Sequence, residues 1–295
     1  MSVKGKIVTD MIRFFTSQKM LGPKIQDGTL RKNLVEPPWH CPDEYLNLPI
    51  HMRQFEMELL TPKAADNGEV VLQLHGGGYI AKIRNASRDF AVRYSKIDQY
   101  RVLSVDYRVA PQHPYPAAFQ DALEAYRWLL YSGFSGDRII LAGDSAGGGL
   151  VLALAMYLRD QSMPLPKKLV MMSPWTDLTA SGPSYQENYE NDPLFGNTRE
   201  SMIYNGEYAG KQDPKLPYIS PLFGDFHGLP PMLFQVGSLE MLLSDSVLAA
   251  QKAKEAGCDV TLTVYQDMFH VFQLSMDKLA ESRAAWDEVA AFLGK

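Results

Sequence analysis

The pentapeptide Gly143-Asp144-Ser145-Ala146-Gly147 constrains this chain more than any other feature, because of what flanks it: the apolar run Ile139-Ile140-Leu141-Ala142 and then Leu150 to Ala155. The first run reads as a buried strand, the second as a helix, and Gly-x-Ser-x-Gly between them as a strand-to-helix elbow with its serine at the tip. Glycine is needed two residues to either side, since a Cβ there crowds a turn whose central residue is held at unfavourable dihedrals. Ser145 then stands at the amino end of a helix, where unpaired N–H groups and the helix dipole favour a developing negative charge.

The rest of the chain repeats the strand-then-helix rhythm. Residues 53–60 alternate as an outer strand, and Val70 to Leu74, Tyr100 to Val105, Leu169 to Met172, Met232 to Val236 and Val260 to Tyr265 read as further strands. Helical periodicity covers residues 88–96, 117–130, a stretch through Val247 to Ala253, and 280–293. This alternation describes an α/β fold, a mostly parallel sheet with helices on both faces. With 295 residues and 46% hydrophobic content, one domain suffices. Ligands in such folds collect beyond the carboxyl ends of the strands, where the His75 tract, Ser145 and Trp175 all fall.

The strand at 70–74 ends in His75-Gly76-Gly77-Gly78-Tyr79, whose glycines leave backbone N–H groups uncovered and make an anion cradle without a basic residue. It lacks Gly-x-Gly-x-x-Gly spacing, and no Gly-Lys-Ser or Gly-Lys-Thr loop occurs, so nucleotide chemistry has no support. Between Leu178 and Pro230 the rhythm stops and aromatics gather among Gly, Pro, Asn and Asp, with a short helix expected around 198–207. An irregular insertion of this length reads as a cap over the strand ends. Tyr185, Tyr189 and Phe195 within it, with Tyr79, Trp175 and Leu239, are the candidate substrate-pocket residues. Residues 24–49 read as an irregular wrapping segment, and Ile7, Val8, Met11, Ile12, Phe14 and Phe15 as an amphipathic helix packed on its own domain.

A formal net charge of -5 and the lack of a basic cluster argue against a nucleic-acid partner. Cys41 and Cys258 make neither a disulfide framework nor a metal knuckle. The amino terminus lacks the continuous apolar core of a signal peptide, and no run of eighteen apolar residues argues for stable membrane insertion. A cytoplasmic location is the expectation.

An unactivated serine hydroxyl is a weak nucleophile, so Ser145 needs a base, and the base needs a partner that fixes its tautomer. Six histidines are available. His40, His51 and His113 precede the positions that could reach Ser145, His75 opens the glycine tract, and His227 lies in the return from the cap. His270, after the last strand and a short loop, is the best placed. Glu240, in the loop after the 232–236 strand, is the preferred acid. Asp245 five residues later and Asp267 beside His270 are its alternatives.

Nucleophile, acid, histidine is the chain order of the α/β-hydrolases. His75-Gly76-Gly77-Gly78, Asp106 to Pro111, Gly143 to Gly148 and Ser173-Pro174-Trp175-Thr176-Asp177 together resemble the hormone-sensitive-lipase-like esterases from about residue 50 onward. The resemblance implies an α/β-hydrolase fold with an eight-stranded sheet and one domain over 1–295. It also implies an oxyanion hole from the N–H groups of Gly77, Gly78 and Ala146, and a two-part cap from about 1–48 and 178–228. A glutamate at the acid position is the family's minority pattern, and Ala81-Lys82 departs from its usual turn after the glycines.

The expected activity is therefore hydrolysis of a small-molecule ester through an acyl-enzyme, without metal or organic cofactor. A soluble esterase for short acyl esters fits better than a lipase. A small or medium lactone suits the same machinery, while an amidase or peptidase and a noncatalytic binding module are weaker readings. The strand at 260–265 would be an edge strand, which makes a homodimer covering it an option.

Overall fold

The computed structural model describes residues 2–16, 36–195 and 207–294. Eight strands form one sheet: β1 (Tyr45–His51), β2 (Glu56–Pro62), β3 (Val70–Leu74), β4 (Arg101–Asp106), β5 (Ile139–Asp144), β6 (Lys168–Met172), β7 (Met232–Gly237) and β8 (Val260–Tyr265), in the order β1-β2-β4-β3-β5-β6-β7-β8. The contacts of β2 with β1 and β4 are antiparallel, and every pairing from β4 to β8 is parallel.

Side chains alternate across a strand, and that alternation divides the core. Leu72, Leu74, Leu141, Leu169, Met171 and Phe234 share one apolar cluster with residues of α3 (Ala117–Tyr131), α4 (Ala146–Asp160) and α6 (Leu243–Glu255). Val71, Ile140, Ala142, Val170, Met172 and Leu233 share another with residues of α2 (Asn85–Asp98) and α7 (Ala280–Leu293). The central strands are buried on both faces, which is why they read as continuous apolar runs rather than as alternating ones.

One expectation is corrected at the sheet edge. Residues 45–49, the end of the expected irregular segment, belong to β1, which runs on to His51 with a continuous register from Tyr45↔Pro62 to His51↔Glu56. Its pattern was hidden because the strand lies at the edge, with only Tyr45 fully buried, so little hydrophobic periodicity is written into it. Pro49 is tolerated there because an edge strand has one partner and can leave one side without donors.

The amino-terminal helix α1 (Val3–Thr16) packs on its own domain through Val8 and Ile12, whereas Ile7 and Met11, expected on the same apolar face, are exposed. Val8 and Ile12 rest on the cluster of Met268, Phe269, Phe272, Leu279 and Ala285, and Ser2 bonds Glu281 through both its backbone N–H and its hydroxyl. The side chains of Phe14 and Phe15, residues 24–35, and residues 198–206 of the expected short helix lie outside the described residues.

The described parts of the insertion take two courses. Residues 178–195, with the short helix α5 (Ser184–Glu187), stay near the strand ends and bond the loop after β7. Residues 207–228 descend the flank: Tyr208 stacks on Tyr79, Tyr218 stacks on Phe119 and bonds Asp160, and Arg159 donates to the carbonyls of Asp225 and His227.

Candidate active site

Ser145 sits between β5 and α4 with φ 53° and ψ -123°, a conformation that L-residues rarely hold and that marks a functional constraint. Steric exclusion around it explains the glycines. A Cβ on Gly143 would lie 2.5 Å from the Gly147 carbonyl oxygen, and one on Gly147 would lie 2.0 Å from that of Leu74. Two backbone bonds pin the elbow to the next strand: Ser145 N–H donates to Met172 O, and Trp175 N–H donates to Ser145 O, both at 2.9 Å.

The loops after β7 and β8 are laced together, Ser238 N–H donating to Tyr265 O and Leu239 N–H to Met268 O. That lacing brings Glu240 and His270 side by side. His270 Nδ1 lies 2.8 Å from Glu240 Oε2, and its Nε2 lies 2.9 Å from Ser145 Oγ. The distances suit a neutral imidazole that donates from Nδ1 and accepts the serine proton at Nε2. Glu240 is fully buried, and its other oxygen, Oε1, accepts the Gly237 N–H and the Ser173 hydroxyl. A buried carboxylate is tolerable only when its lone pairs are occupied in this way.

Of the three carboxylates weighed from sequence, the structure joins Glu240 to His270. Asp245 lies in the first turn of α6, where Oδ2 accepts the N–H groups of Thr176 and Asp177 at 2.7 and 2.8 Å. Burial pushes its carboxyl well above the usual carboxylate range. Asp267 occupies a left-handed turn after β8, and its backbone N–H donates to Ser238 Oγ.

The glycine tract turns through left-handed backbone at Gly77 (φ 114°), Gly78 (φ 63°) and Tyr79 (φ 60°), closed by Ile80 and Ala81 N–H groups donating to Gly77 O. Among the described residues the N–H groups of Gly77, Gly78 and Ala146 meet no protein acceptor. The tract is joined to the elbow because Gly76 N–H donates to Asp144 Oδ1 at 3.1 Å. His75 is buried beneath it, stacked on Tyr107 at 4.2 Å, with Nδ1 donating to Gly76 O. Burial lowers the His75 pKa to about 4, which keeps the ring neutral.

The candidate pocket residues have different surroundings. Phe195 stands edge-on to the His270 ring at 4.8 Å. Tyr79, Trp175 and Tyr185 are buried, and Trp175 Nε1 and the Tyr185 hydroxyl both donate to Asp177 O. Tyr189 packs half-buried on the core, and Leu239 is half-buried in the loop before Glu240.

Three contributors escaped the sequence reading. Asn188 donates its amide to the carbonyls of Ser238 and Glu240, and Asp192 Oδ2 accepts the Met241 N–H while Oδ1 accepts those of Leu194 and Phe195. Together they fasten the insertion to the loop that carries Glu240. In sequence they are ordinary turn residues, and nothing local marks them. Ser173, which reaches Glu240, did carry a signal: it lies immediately after β6, beyond the carboxyl ends of the strands where sites form.

A family model described as the alpha/beta hydrolase fold matches residues 71–274. The "Acetyl-hydrolase" of Streptomyces hygroscopicus is 39% identical over 230 residues, covering 78% of this chain and 77% of that relative. A solved esterase from the bacterial hormone-sensitive lipase family superposes with TM-score 0.85 at 35% identity, covering 99% of this chain and 98% of the other. The hormone-sensitive lipase homologue EstE7 from a metagenome library gives 0.83 at 32% identity, over 98% and 97%. Elbow, sheet order and relatives agree: the chain belongs to the α/β-hydrolase fold family and, within it, to the hormone-sensitive-lipase-like esterases.

Proposed function

We propose that the protein is a serine carboxylesterase for small esters, with Ser145 as nucleophile, His270 as general base and acid, and Glu240 as the acid that orients the imidazole. The observation that carries this reading is the unbroken hydrogen-bond chain Ser145–His270–Glu240. His270 Nε2 takes the hydroxyl proton as Ser145 Oγ attacks the ester carbonyl, and Glu240 stabilises the imidazolium that results. The N–H groups of Gly77, Gly78 and Ala146 receive the charge on the tetrahedral oxygen. His270 then protonates the leaving alkoxide, and water activated by the same imidazole releases the acid and frees Ser145.

Short acyl esters are the substrate class of this reading. Similarity to an acetyl-hydrolase supports the same size class. The cap in this reading comprises the amino-terminal segment up to β1 and the 178–228 insertion, with residues 184–195 forming the part that meets His270 through Phe195.

The outer edge of β8, with Val264 exposed, is the surface along which a second copy would pair to form a homodimer. The two free cysteines support a reducing, cytoplasmic setting. Among the described residues no helix is long and apolar enough to cross a membrane.

The reading is tested with aryl esters of increasing acyl length, acetylated sugars, medium-ring lactones and a matched amide. Turnover greatest on short acyl esters supports it. A preference for the lactones or the amide assigns the site to another leaving group.

A further inference from the structure

We infer that Ser173 is a positioning residue of the reaction, a hydroxyl that fixes Glu240 and the peptide following His270 in one geometry. This rests on the triad proposed above. Ser173 Oγ donates to Glu240 Oε1 at 2.7 Å and accepts the Val271 N–H at 3.1 Å, so a single oxygen bridges the acid to the backbone of the histidine loop. Its own backbone extends the sheet, with Ser173 N–H donating to Gln235 O in β7. On its amino side Met172 O accepts the Ser145 N–H. Ser173 thus bonds the Glu240 carboxylate and the peptide that follows His270, and its neighbour Met172 bonds the Ser145 peptide.

Backbone strain points the same way. Ser173 has φ 48° and Val271 has φ 50°, and both lie in the left-handed region. For Val271, a β-branched residue, that conformation is a genuine outlier. Two such residues persist side by side only where the surroundings over-determine them, and here their meeting point is the Ser173 hydroxyl. Ser173 is fully buried, so no solvent competes for its two bonds.

The arrangement also accounts for a glutamate at position 240. Its carboxylate reaches past His270 Nδ1 so that Oε1 meets both the Ser173 hydroxyl and the Gly237 N–H, while Oε2 stays on the imidazole. Fixing one oxygen from outside leaves the other no freedom to rotate away from Nδ1. The cost of that orientation is met in the folded state rather than at each turnover.

The test uses Ser173→Gly and Ser173→Ala on hydrolysis of an aryl acetate. Glycine accepts the positive φ and removes only the side chain, so it remains informative if the alanine variant does not fold. Both variants are expected to lose about ten- to a hundredfold in kcat with little change in KM, the range for a hydrogen bond to a charged group. The low-field proton resonance of His270 Nδ1–H should shift or broaden in both. In a double-mutant cycle, adding Ser173→Gly to Glu240→Gln should cost little more than Glu240→Gln alone, because the hydroxyl acts through that carboxylate. Wild-type kcat in Ser173→Gly, an unmoved resonance, or fully additive losses in the double variant would each overturn the inference while leaving the triad standing. Wild-type kcat in Glu240→Gln alone would overturn the triad reading and this inference with it.

Discussion

Asp192 Oδ2 accepts the backbone N–H of Met241 at 2.8 Å, so a carboxylate in the insertion holds the residue next to Glu240. Its other oxygen accepts the N–H groups of Leu194 and Phe195, and Phe195 stands against the His270 ring. The insertion is thus coupled to the loop of Glu240 and to the His270 ring through one side chain. Burial pushes the Asp192 carboxyl up, and its three backbone donors oppose that rise.

Asp192→Ala strands three backbone donors in a buried place. The expected loss of stability is at least about 2 kcal/mol, read from urea unfolding, with a fall in kcat. Asp192→Asn keeps an acceptor oxygen and should lose less on both measures. Equal behaviour of the two variants would show that the acceptor is not what matters.

Glu240→Gln and Asp245→Asn separate the two carboxylates that the sequence left in competition. Glu240→Gln should lower kcat by about three to four orders of magnitude, because an amide can present the wrong partner to Nδ1 and removes the charge that stabilises the imidazolium. Asp245→Asn keeps an oxygen for the Thr176 and Asp177 N–H groups and should leave kcat within a few-fold of wild type. The reverse ranking in steady-state kinetics would move the acid role to Asp245.

Much of this was legible in the chain. The elbow, the glycine tract and the strands of the sheet interior announce themselves because sterics at Gly143 and Gly147 and two-faced burial leave little choice of residue. β1 was not legible, since an edge strand with one buried residue writes almost no pattern. Asn188, Asp192 and the role of Ser173 were not legible either, because each acts across 49 to 98 residues of sequence through one or two polar contacts. Separation alone hides such a partner; no local periodicity encodes it.

Acid stability should reveal two opposed groups beside the glycine tract. His75 titrates near 6.5 in the unfolded chain and at about 4 in the folded one, so its contribution is present above 6.5 and is lost as pH falls toward 4. Asp144, raised from 3.8 to about 6 by removal from water, contributes in the opposite sense: the folded state holds its proton more tightly, so stability falls as pH rises through that window. The two largely offset each other. Asp144→Asn leaves His75 alone, so urea midpoints taken across pH 4 to 6.5 should rise with pH more steeply than in the wild type. An unchanged or flatter slope would refute the opposition.

Gly147→Ala places a methyl group 2.0 Å from Leu74 O and 2.6 Å from His75 O, both rigid backbone atoms. The turn must open between the elbow and the glycine tract. Loss of about 3 kcal/mol or more, or failure to fold, is expected from thermal unfolding. A stable, active Gly147→Ala variant would mean that the elbow does not pack on the tract as described.

The central claim is that Ser145, activated by His270, attacks the ester carbonyl. It is tested most directly by turnover of a short-chain aryl ester by purified Ser145→Ala, alongside its thermal unfolding. The account predicts a loss of about 10⁴-fold or more in kcat with the folded state intact, since only the attacking oxygen is gone. Turnover close to that of the wild type in a folded Ser145→Ala preparation would contradict it.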